Sequence, residues 1–204
     1  MEYIEELGAN AKAASGFLAG CGTKVKNLAL GEIARLLNQN TEYIIAENKR
    51  DIENARKNGM SEAMIDRLTL NESRIRSMVV GIEGIIALPD PIGEVLGGGD
   101  LPNGLQVVKK RVPMGVIGII FESRPNVTVD AAALCFKAGS AVILRGGSDA
   151  LNSNKALTML MRNAVSLVGA PKDCIQLVEE TSRETANAMM KLNNYIDLLI
   201  PRGG

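Results

Sequence analysis

The spacing of hydrophobic and polar residues changes near the middle of the chain. Up to about residue 90, apolar residues recur every three or four positions, which is typical of amphipathic helices. In the segment after Thr23 they are Val25, Leu28, Ala29, Ile33, Leu36 and Leu37. After residue 113, short apolar runs alternate with helical segments. This order predicts an α/β fold, in which a helical N-terminal layer precedes a parallel sheet.

Local signals place the ends of several predicted elements. Lys57-Asn58-Gly59 is typical of a helix C-terminus. The predicted N-terminal caps are Ser61, Thr69 with Glu72, Ser148 or Asp149, and Thr181 with Glu184. The predicted strands of the second half are Val116–Phe121, Ala141–Leu144, Cys174–Val178 and Ile196–Ile200, joined by three crossovers.

The segment between the two halves is rich in proline and glycine. Residues 89–104 contain three prolines and a run of glycines, so we predict a loop there. Leu105–Val112 follows as a predicted strand with exposed basic residues at a sheet edge. We therefore divide the chain into a helical layer (1–90), a linker with an edge strand (91–112) and an incomplete dinucleotide-binding region of βαβ units (113–204).

Composition excludes several classes of protein. The 204 residues are 46% hydrophobic, 3% aromatic and of net charge zero, which argues against a surface that binds nucleic acid or an anionic membrane. No signal pattern or membrane-length apolar run is present, so we expect a cytoplasmic protein. Because there is no histidine, Ser-His and Cys-His mechanisms within these residues are excluded. Cys21, Cys135 and Cys174 are scattered and predict neither a disulfide framework nor a metal site.

Three loops at predicted strand ends carry candidate ligand-binding residues. They are Glu122–Asn126, Arg145–Ser148 and Pro201–Gly204, and parallel sheets bind ligands beyond the carboxyl ends of their strands. Arginine followed by glycine suits a phosphate or ribose, although the GxGxxG and phosphate-loop motifs are absent. Alone, each loop is also explained by an ordinary turn, with Asn126 as a helix N-cap and Arg124 as a surface residue. The repeated Arg-Gly-Gly favours one anionic ligand between two loops.

Several motifs resemble one known family. RVPMGVIGIIFESRPNVTVDAAALCFKAGSAVILRGGS, at 111–148, is similar to the central signature of the gamma-glutamyl phosphate reductase (glutamate-5-semialdehyde dehydrogenase) family, in the aldehyde dehydrogenase superfamily. The likeness continues through NGMSEAMIDRL near residue 60, PNGLQVVKKRVP at 102–113 and YIDLLIPRGG at 195–204. It therefore covers nearly the whole chain.

The resemblance implies a fold, a reaction and partners. The fold would be an aldehyde-dehydrogenase-type NAD(P)-binding domain, with a separate catalytic domain and an oligomerisation hairpin that makes the full-length family homo-oligomeric. The reaction would be NADPH-dependent reduction of L-glutamate 5-phosphate to L-glutamate 5-semialdehyde, in proline biosynthesis. In that reaction a cysteine thiolate attacks the acyl phosphate, and hydride then reduces the thioester.

The resemblance also implies roles for individual residues. Arg145 matches a basic position near the adenosine ribose, which suits the 2′-phosphate of NADPH. The implied cofactor-binding residues are Arg145, Gly146, Gly147, Ser148, Arg202, Gly203 and Gly204. Ser123, Arg124 and Pro125 would lie beside a cofactor or substrate phosphate. Asn126 would be the side chain that stabilises the oxyanion.

The family's nucleophilic cysteine has no counterpart in this sequence. It lies beyond the Ile-Pro-Arg-Gly-Gly loop, and family members are about twice as long. We therefore expect this chain to be the N-terminal half of the reductase, truncated and inactive alone. Two alternatives remain open: a non-catalytic nucleotide-binding module that needs a second chain, and an unrelated α/β protein.

Overall fold

Eight α-helices and six β-strands make up the described part of the chain. The computed structural model describes residues 2–122 and 124–202. The helices are α1 Glu2–Ala19, α2 Thr23–Gln39, α3 Thr41–Lys57, α4 Glu62–Leu68, α5 Glu72–Ala87, α6 Asn126–Lys137, α7 Leu151–Leu167 and α8 Arg183–Met190. The strands are β1 Val95–Asp100, β2 Gln106–Lys110, β3 Val116–Phe121, β4 Ala141–Arg145, β5 Ile175–Leu177 and β6 Leu198–Arg202. None of the described helices is long and apolar enough to cross a membrane.

The four strands predicted after residue 113 form one parallel sheet. Their order is β5-β4-β3-β6, and β3 and β4 are almost entirely buried. This confirms the predicted α/β fold. The last two strands begin later than predicted, because Cys174 ends a 3₁₀ turn and Ile196 precedes the first paired residue, Leu198.

Helices cover the parallel sheet on both faces. Helices α6 and α7 pack on one face, and α2, α3 and α5 pack against them. The chain then crosses back from β5 to β6, and right-handed crossovers place α8 on the opposite face. Helix α1 contacts β3, β4, β5 and α8, so it lies on the α8 face. The predicted helical layer is therefore divided between both sides of the sheet.

The predicted loop at 89–104 contains a strand. Strand β1 pairs antiparallel with β2 in a separate two-stranded sheet, and every residue of both strands is exposed. The prediction was wrong because a glycine run is typical of a loop. Here β1 can pair with β2 only because Gly98 has no side chain. A Cβ at this position would collide with the backbone of Val107 and Val108.

The predicted helix ends were only partly right. Helix α3 ends at Lys57, and Gly59 has the positive φ of a C-terminal glycine, as predicted. The two predicted capping boxes were wrong, because Asn71 and Ser182 cap α5 and α8 with their side chains instead. Ser61 takes the N-cap position of α4 without a side-chain hydrogen bond. Ser148 and Asp149 form a 3₁₀ turn, and α7 begins only at Leu151.

The cap of α7 comes from another helix. Asp51 of α3 is 2% exposed, and its carboxylate accepts hydrogen bonds from the backbone N–H groups of Asn152 (3.1 Å) and Ser153 (2.8 Å). The Ser153 hydroxyl donates to the same carboxylate at 2.6 Å. A carboxylate at a helix N-terminus accepts hydrogen bonds from the N–H groups that lack a partner within the helix, and it interacts favourably with the positive end of the helix dipole. This contact fixes the start of α7, and with it the loop that follows β4.

A buried ion pair holds the end of α5 against α2. Lys26 is fully buried, and its ammonium lies 2.8 Å from the carboxylate of Asp90. Burial opposes the charge of Asp90, but hydrogen bonds from Lys26, from the backbone N–H of Ile92 and from Thr23 outweigh it and lower the pKa of this carboxyl. A lysine with no exposed surface requires such a partner.

Candidate functional site

The carboxyl ends of three parallel strands lie side by side. Ile120 of β3 pairs with Arg145 of β4, and Phe121 of β3 pairs with Arg202 of β6. Arg145 and Arg202, which begin the two Arg-Gly-Gly segments, therefore flank the end of β3. A cavity of about 910 Å³ lies here, and it is also lined by Arg67 of α4. Its volume is within the range of cofactor and substrate sites.

Arginines dominate the charge of this cavity. Five line it, namely Arg67, Arg124, Arg145, Arg183 and Arg202, against the two carboxylates of Glu122 and Asp149. In the described part of the chain, no side-chain hydrogen bond or ion pair engages the guanidinium of Arg67, Arg124 or Arg183. Because guanidinium groups bind carboxylates and phosphates through paired hydrogen bonds, the cavity suits an anionic ligand.

Arg145 connects β4 with the loop before α8. Its Nη2 donates to the carbonyl oxygens of Thr181 (2.8 Å) and Ser182 (3.3 Å). Its Nε is buried and has no hydrogen-bond partner within the described residues. An unpaired buried donor is costly, so an acceptor bound in the cavity would stabilise this side chain.

The three residues after Arg145 differ in their surroundings. Gly147 and Ser148 line the cavity. Gly146 is buried outside that lining, and a Cβ there would collide with the amide nitrogen of Asn154. Asn154 in turn accepts a hydrogen bond from Thr128 at 2.8 Å. Packing alone therefore accounts for this glycine, and its implied contact with the cofactor stays a prediction.

The loop after β3 leads into a second, smaller cavity. Arg124 lines both cavities, whereas Asn126 lines the smaller one, of about 430 Å³. The N-cap interpretation of Asn126 was wrong, because Pro125 holds that position and Asn126 is the first residue of α6. The amide nitrogen of Asn126 donates to Asp130 at 3.2 Å. The roles implied for Arg124, Pro125 and Asn126 remain predictions.

Some predicted site residues fall outside the described part of the chain. These are Ser123, Gly203 and Gly204. Arg202 is described and lines the larger cavity. It also lies close enough to Asp130 for its charge to oppose the rise in the pKa of that carboxyl, which burial causes.

Four residues of this region were not among the predicted site residues. Arg67 lies in a short helix, 55 positions before Glu122 and further still from the other two loops, and only tertiary folding brings it to the cavity. Asp149 directly follows the predicted loop 145–148. Arg183 directly follows residues 179–182 after β5, a strand end that was not among the three predicted loops. Asp130 occurs one helical turn after Asn126, a spacing that places two side chains on one helix face.

None of the three thiols is suited to act as a nucleophile. Burial raises the pKa of Cys135 and Cys174 to about 12. Burial also raises the pKa of Cys21, against the opposing charge of Lys26. None of these cysteines lines the two cavities that the described residues form at the strand ends. The attacking species is a thiolate, so these residues do not provide it.

A third cavity lies away from the predicted site residues. It measures about 940 Å³, and Tyr3, Tyr43, Lys155 and Gln176 are among the residues that line it. Within the described residues, none of the three predicted loops contributes to its lining.

The parallel sheet with helices on both faces defines an α/β domain of the aldehyde dehydrogenase type. A probable aldehyde dehydrogenase from Listeria monocytogenes superposes with a TM-score of 0.73 at 15% identity, over 100% of this chain and 42% of that protein, a likeness of fold alone. The gamma-glutamyl phosphate reductase of Thermotoga maritima gives a TM-score of 0.97 at 41% identity, over 98% of this chain and 49% of that structure.

Sequence comparison finds curated relatives that share one name. No protein-family model matches the chain. The gamma-glutamyl phosphate reductase of Clostridium botulinum is 57% identical over 204 residues, which are 100% of this chain and 49% of that enzyme. The enzyme of that name from Moorella thermoacetica is 53% identical over 201 residues, 98% of this chain and 48% of its own length. The chain is a homologue of gamma-glutamyl phosphate reductase, and it spans about half the length of the curated relatives it matches.

Proposed function

We propose that the chain is the cofactor-binding part of an NADPH-dependent reductase that converts L-glutamate 5-phosphate to L-glutamate 5-semialdehyde, the reaction implied for proline biosynthesis. The observation that carries the proposal is the arginine-lined cavity at the carboxyl ends of β3, β4 and β6. Ligands of parallel α/β sheets bind at this edge. The homology to reductases of that name supports the same conclusion.

The residues present fit a phosphorylated nicotinamide cofactor. Arg145 offers a buried Nε without a partner, and Arg183 offers a guanidinium that no described residue engages. NADPH carries a pyrophosphate and a 2′-phosphate, which require several cationic donors. Gly147 and Ser148, with the arginines, would hold the adenosine side, and Arg202 would lie at the opposite wall. Gly203 and Gly204 continue this proposed loop.

The chain's own residues would bind and orient, whereas the bound NADPH supplies the hydride. Arg124, with Ser123 and Pro125 beside it, would face a phosphate group. The amide of Asn126 would donate a hydrogen bond to the oxygen that becomes negative when the acyl carbon is attacked. The attacking thiolate would come from residues other than these 204, because burial raises the pKa of Cys21, Cys135 and Cys174.

Calorimetric titration with NADPH and with NADH tests the cofactor assignment. We expect saturable binding of NADPH, and weaker binding of NADH because NADH lacks the 2′-phosphate that the arginines would contact. A charge-assisted hydrogen bond contributes ~1.5 kcal/mol or more, which is roughly tenfold in affinity. Absence of heat at millimolar NADPH contradicts the assignment.

The alternative is a non-catalytic nucleotide-binding module that needs a second chain. It is favoured because no cysteine among the described residues lines the cavity. An assay of phosphate-dependent oxidation of glutamate semialdehyde by NADP separates the two proposals. The 204-residue chain alone should show no turnover in either case. Turnover when the missing cysteine is supplied on a segment fused to this chain supports the reductase, whereas turnover only with a separate second chain supports the module.

We also propose that the β1–β2 hairpin mediates homo-oligomerisation and that the protein acts in the cytoplasm. All residues of both strands are exposed, including the apolar Val95, Leu96, Val107 and Val108. Exposed apolar strands are typical of surfaces that pair with another chain. Light scattering of the purified chain should report a mass above that of a monomer, and substitution of Val107 and Val108 by Ser should reduce it.

A further inference from the structure

The smaller cavity adjoins the larger one through two shared arginines. Arg67 and Arg124 line both. The smaller cavity measures about 430 Å³, which suits a small molecule rather than a dinucleotide. Asp66, Arg74, Asn126 and Asp130 also line it, together with the hydroxyls of Thr69 and Ser77. The cavity therefore contains charges of both signs.

Two of these charged residues, Asp66 and Arg74, form an ion pair with each other. The guanidinium of Arg74 lies 2.8 Å from the carboxylate of Asp66 and also donates to the carbonyl oxygen of Thr69 at 2.7 Å. These contacts fasten the end of α4 to the start of α5. The pair is therefore structural, and the charges still available to a ligand are those of the other three residues.

The remaining charges are those of Arg67, Arg124 and Asp130. The two guanidinium groups make no hydrogen bond or ion pair within the described residues. The Oδ2 atom of Asp130 accepts the amide N–H of Asn126 at 3.2 Å, and its Oδ1 atom accepts none from a described residue. Burial raises the pKa of Asp130, against the hydrogen bond from Asn126 and the charge of Arg202. Asp130 is exposed, so its Oδ1 atom is accessible to a cationic group of a ligand.

We propose that the smaller cavity binds the amino-acid end of the substrate, with Asp130 taking the α-ammonium group. The inference rests on the proposed function and deepens it. L-Glutamate 5-phosphate carries one ammonium and two anionic groups, a carboxylate and a phosphate. One carboxylate and two guanidinium groups complement these three charges, so Arg67 and Arg124 bind the two anionic groups.

The proposal gives Asp130 two contacts at once. One oxygen binds the ammonium group, and the other holds the Asn126 amide with its N–H side toward the carboxylate. Because a carboxylate only accepts hydrogen bonds, this contact fixes which end of the amide faces it. Binding of the correct amino acid would thereby keep the Asn126 amide oriented beside the reacting end.

A pair of probes tests the assignment on the unmodified chain. One is a non-hydrolysable phosphonate analogue of L-glutamate 5-phosphate, and the other is the same compound without its α-amino group. Calorimetry should show that the compound with the α-amino group binds at least about tenfold more tightly than the compound without it, because a charge-assisted hydrogen bond contributes about that factor in affinity. Equal affinities, or no binding of the amino compound at millimolar concentration, overturn the proposal.

Three variants assign the effect to its residue. Asp130→Asn should abolish the difference between the two probes. Asp66→Asn is the matched control, because it neutralises a carboxylate of the same cavity that Arg74 already engages, and it should leave the difference unchanged. Arg67→Gln should weaken both probes alike. If Asp66→Asn rather than Asp130→Asn removes the difference, the assignment to Asp130 is wrong. Titration of the Asp130 and Asp66 variants with NADPH separates this result from a failure of the cofactor assignment, because neither carboxylate lines the larger cavity.

Discussion

The two glycines after Arg145 provide a direct comparison between packing and ligand binding. Gly146 is buried, and a methyl group there would collide with the Asn154 amide, which is 1% exposed and bonded to the fully buried Thr128. Gly146→Ala must therefore displace the Asn154 amide, and we expect this displacement to break the hydrogen bond from Thr128. Overpacking costs ~1–3 kcal/mol, and a buried hydroxyl without its partner costs another ~1 kcal/mol or more. We expect a loss of about 3 kcal/mol in the free energy of unfolding.

Gly147→Ala is the matched substitution one residue further on. Gly147 lines the cavity, and its φ of −64° and ψ of 153° are accessible to alanine. We expect its unfolding free energy to stay within ~0.5 kcal/mol of the parent value. Its affinity for NADPH should fall, because the added methyl group enters the proposed site.

Urea unfolding followed by circular dichroism measures the stability, and calorimetry measures NADPH binding to each folded variant. We predict that Gly146→Ala mainly lowers the stability of the chain and that Gly147→Ala mainly lowers its affinity for NADPH. If Gly146→Ala retains its stability but loses NADPH binding, then the cofactor rather than Asn154 requires that glycine, and the packing argument is refuted.

Three further predictions concern charged side chains. Asp90→Asn leaves the Lys26 ammonium buried without a counter-charge and should lower the free energy of unfolding in urea by ~3 kcal/mol at pH 7. The pKa of Asp90 is lowered in the folded chain. The stability difference between the parent and the variant should therefore be complete above pH about 4 and disappear as the pH falls through the pKa of Asp90 in the folded chain. Asp51→Ala removes the carboxylate that accepts from Ser153 and should lower the melting temperature by roughly 5 °C or more, whereas an unchanged value would contradict the cap across helices. Arg183→Gln should weaken NADPH binding by roughly tenfold and leave the melting temperature nearly unchanged, and a strong loss of stability would instead indicate a structural role.

The order of helices and strands was predictable because it depends on local periodicity. The run VIGIIF predicted β3, and the alternation after residue 113 predicted a parallel sheet, which the structure confirms. The β1 strand was missed because its glycines resemble a loop, and pairing with β2 depends on a close backbone approach that sequence spacing does not express. Caps were wrong by one or two residues, since several adjacent polar residues can serve equally well until the helix start is known.

The candidate site was predictable only where its residues follow a strand. Arg145 and Arg202 occur directly after apolar runs, and strand register brings both to the end of β3. Arg67 lies in α4, and no local pattern indicates that tertiary packing takes it to the same cavity. The buried contacts of Asp51 and Lys26 were likewise hidden, because each joins elements more than 60 positions apart. Residues that bind through tertiary neighbours need the fold before they can be recognised.

A crystal structure of the chain with NADPH would show where the cofactor binds. We predict electron density for the nucleotide in the cavity between the ends of β3, β4 and β6, with a phosphate within hydrogen-bond distance of Arg145 or Arg183. Density in the cavity beside Tyr3 and Tyr43, or none at saturating NADPH, would show that the proposed cofactor site is wrong.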